Sequence, residues 1–337
     1  MRKLWVKVAS VIVSGVLIMG LAGCGNSAQD NTGSDTKAGE SGDTKSESTD
    51  GKIRVAFITK ALDSEFWMDM KSGAEKAAEE LGVEVTVLGP DTETNVERQF
   101  KIIEDCISDK YDAIIVAPTD TEGVVPVLEE AVKKGIKVFA ADTNYELEGK
   151  SGFIGTDNVS IGKTAAEQLA QALKDVPNAK VGMITGVPGV QTMRDRADGF
   201  KDNLSSDLNL AEEQPADSDS GKAMNVMENM LTTHPDLAGV YILNCTMTTG
   251  AIQAVANYNT DVKIISVDTS SDNVQFTKDG SIMGFISQDS YGIGYQSVQN
   301  AVKAVKGESF EENVLVEATM ITKDNVDEFE AKRSENK

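Results

Sequence analysis

Val138-Phe139-Ala140-Ala141-Asp142-Thr143 and Ile264-Ile265-Ser266-Val267-Asp268-Thr269 have the same form, an apolar strand closing on Asp-Thr, and they stand 126 positions apart. The same offset pairs Val55-Ala56-Phe57-Ile58-Thr59 with Val181-Gly182-Met183-Ile184-Thr185, Gly73 with Gly199, and Asp91 with Asp217. A period this long exceeds the roughly 20–50 residues of a solenoid unit, so the chain holds a duplicated lobe. Ligands of open α/β sheets sit beyond the carboxyl ends of the strands. Two facing lobes would therefore set one aspartate each, Asp142 and Asp268, over a shared cleft, in the manner of a clamshell.

Between these anchors the pattern alternates strand and helix, which implies parallel sheets. Strands are expected near 53–58, 83–88, 113–116 and 137–140, then near 180–184, 208–212, 239–243 and 262–267. Helical runs such as Phe66–Leu81 and Val124–Lys134 lie between them, followed by Gly82 and Gly135, where a left-handed residue ends a helix well. The expected fold class is α/β, with two doubly wound parallel-sheet lobes joined by a multi-strand hinge. The chain is expected to pass between lobes near Thr156, near Gln288–Asp289 and near Glu317. That assigns 52–156 plus 289–317 to the N-terminal lobe and 157–288 plus 318–337 to the C-terminal lobe. Three crossings make a hinge that bends without swivelling, and closure around a ligand is its expected motion.

The N-terminus has a different character. Arg2, Lys3 and Lys7 precede an apolar run from Val8 to Met19, and Leu21-Ala22-Gly23-Cys24 follows. A basic start, a short apolar core and small residues before a cleavage point make an export signal over residues 1–23. Leu-Ala-Gly-Cys resembles a bacterial lipoprotein box, which implies lipidation of Cys24 and anchoring to the outer face of the cell membrane. Residues 25–51 carry no apolar side chain larger than Ala and read as a flexible linker.

Composition and motifs exclude several functions. With 32 Lys and Arg against 54 Asp and Glu, the formal net charge is −22, the wrong sign for a nucleic-acid partner. Beyond Cys24 only Cys106 and Cys245 remain; a disulfide between them would lock the cleft, so two free thiols are expected. No enzyme is expected: His234, the only histidine, lies in a His-Pro turn, with no nucleophile-elbow pattern to serve it. The absence of a P-loop assigns any ATP hydrolysis to a partner. Asp217-Ser218-Asp219 lacks the later glycine and glutamate of a calcium loop and reads as a turn, so neither metal nor cofactor is expected.

Ile53–Gly82 (IRVAFITKALDSEFWMDMKSGAEKAAEELG), Phe153–Gly162 (FIGTDNVSIG), Arg194–Phe200 (RDRADGF), Gln214–Asp217 (QPAD), His234-Pro235-Asp236 and Ile264–Asp268 carry a resemblance to the ribose-binding protein family, across 52–325. The resemblance implies a monomeric receptor that captures a small sugar or polyol and hands it to the membrane permease of an ABC importer. The alternative is a sensory receptor of the same fold, for a sugar or an autoinducer-2-like signal, docking on a sensor kinase or chemoreceptor. It further implies that Phe66 and Trp67 stack on the sugar ring, and that Asp142, Arg194, Asn244, Asp268 and Gln288 bond its hydroxyls. Four positions depart from the ribose pattern: Lys60 for a serine, Ser64 for an asparagine, Thr143 for an arginine and Ser218 for an aromatic.

These residue types suit a polyol. Carboxylates accept hydroxyl protons, arginine donates through a planar fork, and amides do both. Aromatic rings cover the apolar C–H face. Each residue also has a plainer reading: Asp142 and Asp268 as turn residues after strands, one of Phe66 and Trp67 as core, Arg194 as a solvated arginine, a role that suits Arg196 better, and Asn244 and Gln288 as ties for loop backbone. Lys60 either enters the cleft or points to water. If it enters, it and Arg194 balance Asp142 and Asp268, a sum that suits a neutral, hydroxyl-rich ligand.

Overall fold

A computed structural model describes residues 51–258 and 260–335. The export signal, Cys24 and the linker through residue 50 lie outside the described residues. From Arg54 the chain builds β1 (Arg54–Ile58), α1 (Glu65–Leu81), β2 (Glu84–Leu88), α2 (Val96–Ser108), β3 (Ala113–Val116), α3 (Val125–Lys133), β4 (Lys137–Asp142) and β5 (Gly152–Thr156). It continues through α4 (Asn158–Ala172), β6 (Ala179–Thr185), α5 (Gln191–Asp202), β7 (Leu208–Pro215), α6 (Ser220–Thr233), β8 (Leu237–Ile242), α7 (Cys245–Val255), β9 (Lys263–Val267), α8 (Ser271–Asp279) and β10 (Gly284–Gln288). The last elements are α9 (Ser290–Lys306), β11 (Asn313–Val316), β12 (Ala318–Thr322) and α10 (Val326–Glu335).

The strands form two sheets of the same order, β11-β5-β4-β3-β1-β2 and β12-β10-β9-β8-β6-β7. This is the two-lobed α/β architecture expected from the repeat. Each sheet has six strands rather than the four read from the sequence. The two additions per sheet are short: β5 and β10 lead into the crossings, and β11 and β12 lie at the edges. β12 runs antiparallel to β10, so the second sheet carries one antiparallel edge on a parallel body.

Alternation along the strands sorts side chains onto two helix layers. In the first sheet Val55, Phe57, Ala113, Ile115 and Phe139 pack toward α1 and α9, while Ala56, Ile58, Ile114, Val116 and Val138 pack toward α2 and α3. Burial on both faces explains why these strands read as unbroken apolar runs. The repeated glycines mark the tightest helix contacts. A Cβ added at Gly73 of α1 would stand 2.0 Å from the Tyr291 carbonyl oxygen of α9, and one at Gly199 of α5 would stand 2.2 Å from that of Val159 in α4. Duplicated glycine thus means a duplicated helix crossing.

Pairing follows the chain across the sheets. β5 belongs to the first sheet, and α4, which follows Thr156, packs on α5 of the second lobe. β10 belongs to the second sheet, and α9, which follows Gln288, packs back on α1. β11 and β12 lie in different sheets with Glu317 between them.

Candidate functional site

Asp142 closes β4 and Asp268 follows β9, and both hold left-handed backbone, with φ of 59° and 72°. That conformation is costly for most L-residues and more tolerable for Asp. Its recurrence at the two matched positions is the kind of strain that collects at functional sites. Both carboxylates face one buried cavity, lined also by Lys60, Phe66, Trp67, Glu93, Arg196 and Asn244.

Lys60 lies inside: it is 2% exposed, and its ammonium donates to Asp142 Oδ2 at 2.7 Å and, across the cleft, to Thr192 Oγ1 at 3.3 Å. The same ammonium stands 5.5 Å from the centre of the Trp67 ring. Thr143, where ribose binders carry an arginine, donates to Asp142 Oδ2 at 2.8 Å and so steadies that carboxylate. Phe66 and Trp67 are both buried and both line the cavity, in edge-to-face contact with centroids 4.9 Å apart. Adjacent helical positions share the cavity because α1 begins there, before the helix has turned away.

From the second lobe, Asn244 caps α7 by accepting from Met247 N at 3.0 Å and donates to Ser218 Oγ at 2.9 Å. Gln288 takes a supporting place. It is absent from the cavity wall, and its Nε2 donates to Asp268 Oδ1 at 2.6 Å from behind. On its other side it borders a separate cavity with Asp289, Glu317 and Arg333.

The structure sets Arg194 outside the cavity wall. Its guanidinium is turned outward, donating to the Pro188 carbonyl at 2.9 Å and to Gln191 Oε1 at 2.6 Å. Arg196 stands in the cavity instead, fully buried, donating to Asn158 Oδ1 at 2.8 Å and the Leu243 carbonyl at 2.6 Å, with Asp268 Oδ1 at 3.5 Å. Helical periodicity is the reason. Met193, Arg196, Ala197 and Phe200 form the buried stripe of α5, and Arg194 falls on another face.

Burial pushes the Asp268 carboxyl upward, against the opposing pull of Arg196 and Gln288. Burial likewise opposes the Arg196 charge, but Asp268, Asp142 and Glu93 hold the guanidinium protonated. The 3.5 Å separation leaves this pair looser than that of Lys60 and Asp142.

Glu93, in the loop between β2 and α2, is the group that sequence reasoning missed. Its Oε1 accepts from Trp67 Nε1 at 3.2 Å, while Oε2 is shut off from solvent with no partner. Burial pushes its carboxyl above the usual range, with Lys60 opposing the shift. Two signals pointed there: the buried indole N–H of Trp67 needs an acceptor, and Glu93 matches Asp219 at the repeat offset.

Cys245 also lines the cavity; both it and Cys106 are free and buried, and burial lifts the Cys106 thiol to about 11. Asp217 and Asp219 behave as turn residues, pairing with Lys222 Nζ at 2.6 Å and capping α6 through Lys222 N at 2.7 Å. Among the described residues no cluster of His, Cys, Asp and Glu is arranged to hold a metal ion.

The lobes touch on either side of the cavity. Thr121 N donates to the Gly189 carbonyl at 3.3 Å, and Gln191 N to Thr121 Oγ1 at 3.0 Å. Opposite them, Glu65 accepts from Ser271 N at 3.1 Å, and Arg333 donates to Asp69 Oδ2 at 2.6 Å.

Comparison with known proteins agrees with this geometry. The family model of the periplasmic binding protein domain matches residues 55–309. The ribose import binding protein of Haemophilus influenzae is 32% identical over 278 residues, covering 82% of this chain and 94% of that protein. The D-allose-binding periplasmic protein of Escherichia coli is 30% identical over 262 residues, covering 74% and 84%. A carbohydrate transporter solute-binding protein from Agrobacterium radiobacter, solved in complex with D-arabinose, superposes with a TM-score of 0.81 at 30% identity, covering 85% and 99%. These relatives are binding components of sugar transport, not enzymes. By its matched domain, its duplicated sheets and the cleft between them, the chain belongs to the periplasmic binding protein family.

Proposed function

We propose that this chain is the extracytoplasmic sugar receptor of an ABC importer, held to the membrane through a lipid on Cys24. It captures a monosaccharide between its lobes and presents the closed form to the permease. The observation that carries this reading is the pair of strand-end aspartates, one per lobe, facing one cavity beside Trp67 and Phe66. Asp142 and Asp268 accept hydroxyl protons from opposite sides, Arg196 and Lys60 donate, Asn244 does either, and the rings cover the C–H face. A ligand gripped by both lobes favours closure because its contacts from the two sides exist together only in that state. The Leu-Ala-Gly-Cys stretch supports the anchor, and the relatives named for ribose and allose support the ligand class.

A thermal-shift screen of the purified protein against pentoses, hexoses, polyols, sugar acids, nucleosides and autoinducer-2 tests this. A monosaccharide at a hundred times its Kd contributes about 2.7 kcal/mol of stabilisation and raises Tm. A response confined to nucleosides or autoinducer-2, with every monosaccharide silent, would overturn the sugar assignment.

A further inference from the structure

We infer that Glu93 is a specificity-determining contact of the cleft: its free carboxylate oxygen requires the bound sugar to present a hydroxyl beside the edge of Trp67. The inference rests on the reading of the cleft as a sugar site. It adds the loop between β2 and α2 to the strand ends as a source of ligand contacts.

The cavity wall carries two cations, Lys60 and Arg196, against three carboxylates, Glu93, Asp142 and Asp268. Both cations are already engaged. Lys60 is held by Asp142 and Thr192, and Arg196 by Asn158, the Leu243 carbonyl and Asp268. Ser218 approaches Glu93 from the second lobe; its oxygen accepts from Asn244 Nδ2 at 2.9 Å, and its own proton stays available to Glu93 or to a ligand. Glu93 Oε2 is sealed from solvent and makes no hydrogen bond within the protein.

A buried carboxyl oxygen needs a partner whether or not it carries the proton, and a ligand hydroxyl, which both donates and accepts, meets either case. The other oxygen is fixed by the Trp67 indole at 3.2 Å, which orients Oε2 and the stacking ring as one unit. A methyl or methylene at that position would leave a buried carboxylate unpaired, whereas a hydroxyl completes it. Glu93 thereby sorts sugars with a hydroxyl at one position from their deoxy counterparts, a selection that stacking alone does not provide.

The test uses the monosaccharide giving the largest thermal shift, together with each of its monodeoxy analogues. Dissociation constants are measured by calorimetry for the wild-type protein, Glu93→Ala and Glu93→Gln. In the wild type, the analogue lacking the hydroxyl that meets Glu93 is expected to bind about 10–100-fold more weakly than the parent sugar. In Glu93→Ala that gap closes to within about threefold, while the gaps for the other analogues stay as they were. Glu93→Gln keeps the shape and the Trp67 bond but loses the charge, so it narrows the same gap and serves if the alanine variant folds poorly. Sugar binding with every gap unchanged in both variants would overturn the Glu93 assignment alone. Silence of the wild-type protein toward all sugars would overturn the sugar reading and this assignment with it.

Discussion

At the residue scale, Arg194 and Arg196 differ by two positions and by everything around them. Arg196 is sealed in the cavity wall with three of its N–H donors held by Asn158, the Leu243 carbonyl and Asp268, whereas Arg194 ties down its own loop. Removing one member of a buried ion pair costs about 3–5 kcal/mol, because the other charge is left uncompensated. Arg196→Met should therefore lower the melting temperature sharply and abolish ligand response. Arg194→Met removes only local, half-buried hydrogen bonds, so it should cost about 0.5–1.5 kcal/mol and leave the ligand response intact. Melting curves with and without ligand check both; equal losses would contradict the placement. Asp142 and Asp268 were legible because their signal was doubled by the repeat. From sequence Arg196 is given the solvated role, although the stripe Met193, Arg196, Ala197, Phe200 places it inward. Glu93 had only its loop position and the need of Trp67 for an acceptor, and both become decisive only once the distance between them is known.

At the element scale, the helix pair α4 and α5 repeats the pair α1 and α9, and glycine sets the approach in each. Gly199→Ala would force a methyl to 2.2 Å from the Val159 carbonyl oxygen, which is backbone and cannot rotate aside. The helices would have to separate, at about 1–3 kcal/mol of overpacking strain. That predicts a melting temperature lower by roughly 2–4 °C for each kcal/mol lost in domains of this order of size. An unchanged melting temperature would mean that the crossing is looser than the structure has it. The long central elements were readable because a buried parallel strand is a continuous apolar run and its helices keep a 3.6-residue period. β11 and β12 were not. Asn313–Val316 and Ala318–Thr322 are short, half-exposed edges, and their pairing is decided by where three crossing segments bring them.

At the scale of the molecule, each sheet alone presents half a site. The first lobe brings Lys60, Asp142, Trp67 and Glu93; the second brings Arg196, Asn244 and Asp268. Lys60 reaches across to Thr192, so the halves already meet through the groups that would hold a ligand. Under the proposed function, a site divided this way would link affinity to closure, because neither half encloses a sugar unaided. The two-lobed plan was visible in the 126-residue offset, while the contacts between the rims, such as Glu65 with Ser271, were not. Those pairs join residues far apart in sequence and carry no periodic signal.

The most direct test is a calorimetric titration of the best monosaccharide from the screen against the wild type, Asp142→Ala and Asp268→Ala. Each substitution removes a hydroxyl acceptor from a different lobe, so each is expected to weaken binding at least tenfold by losing a charge-assisted hydrogen bond, at about 1.5–3 kcal/mol, with the apo proteins still folded by circular dichroism. Wild-type affinity in either folded variant would contradict a site shared by the two lobes.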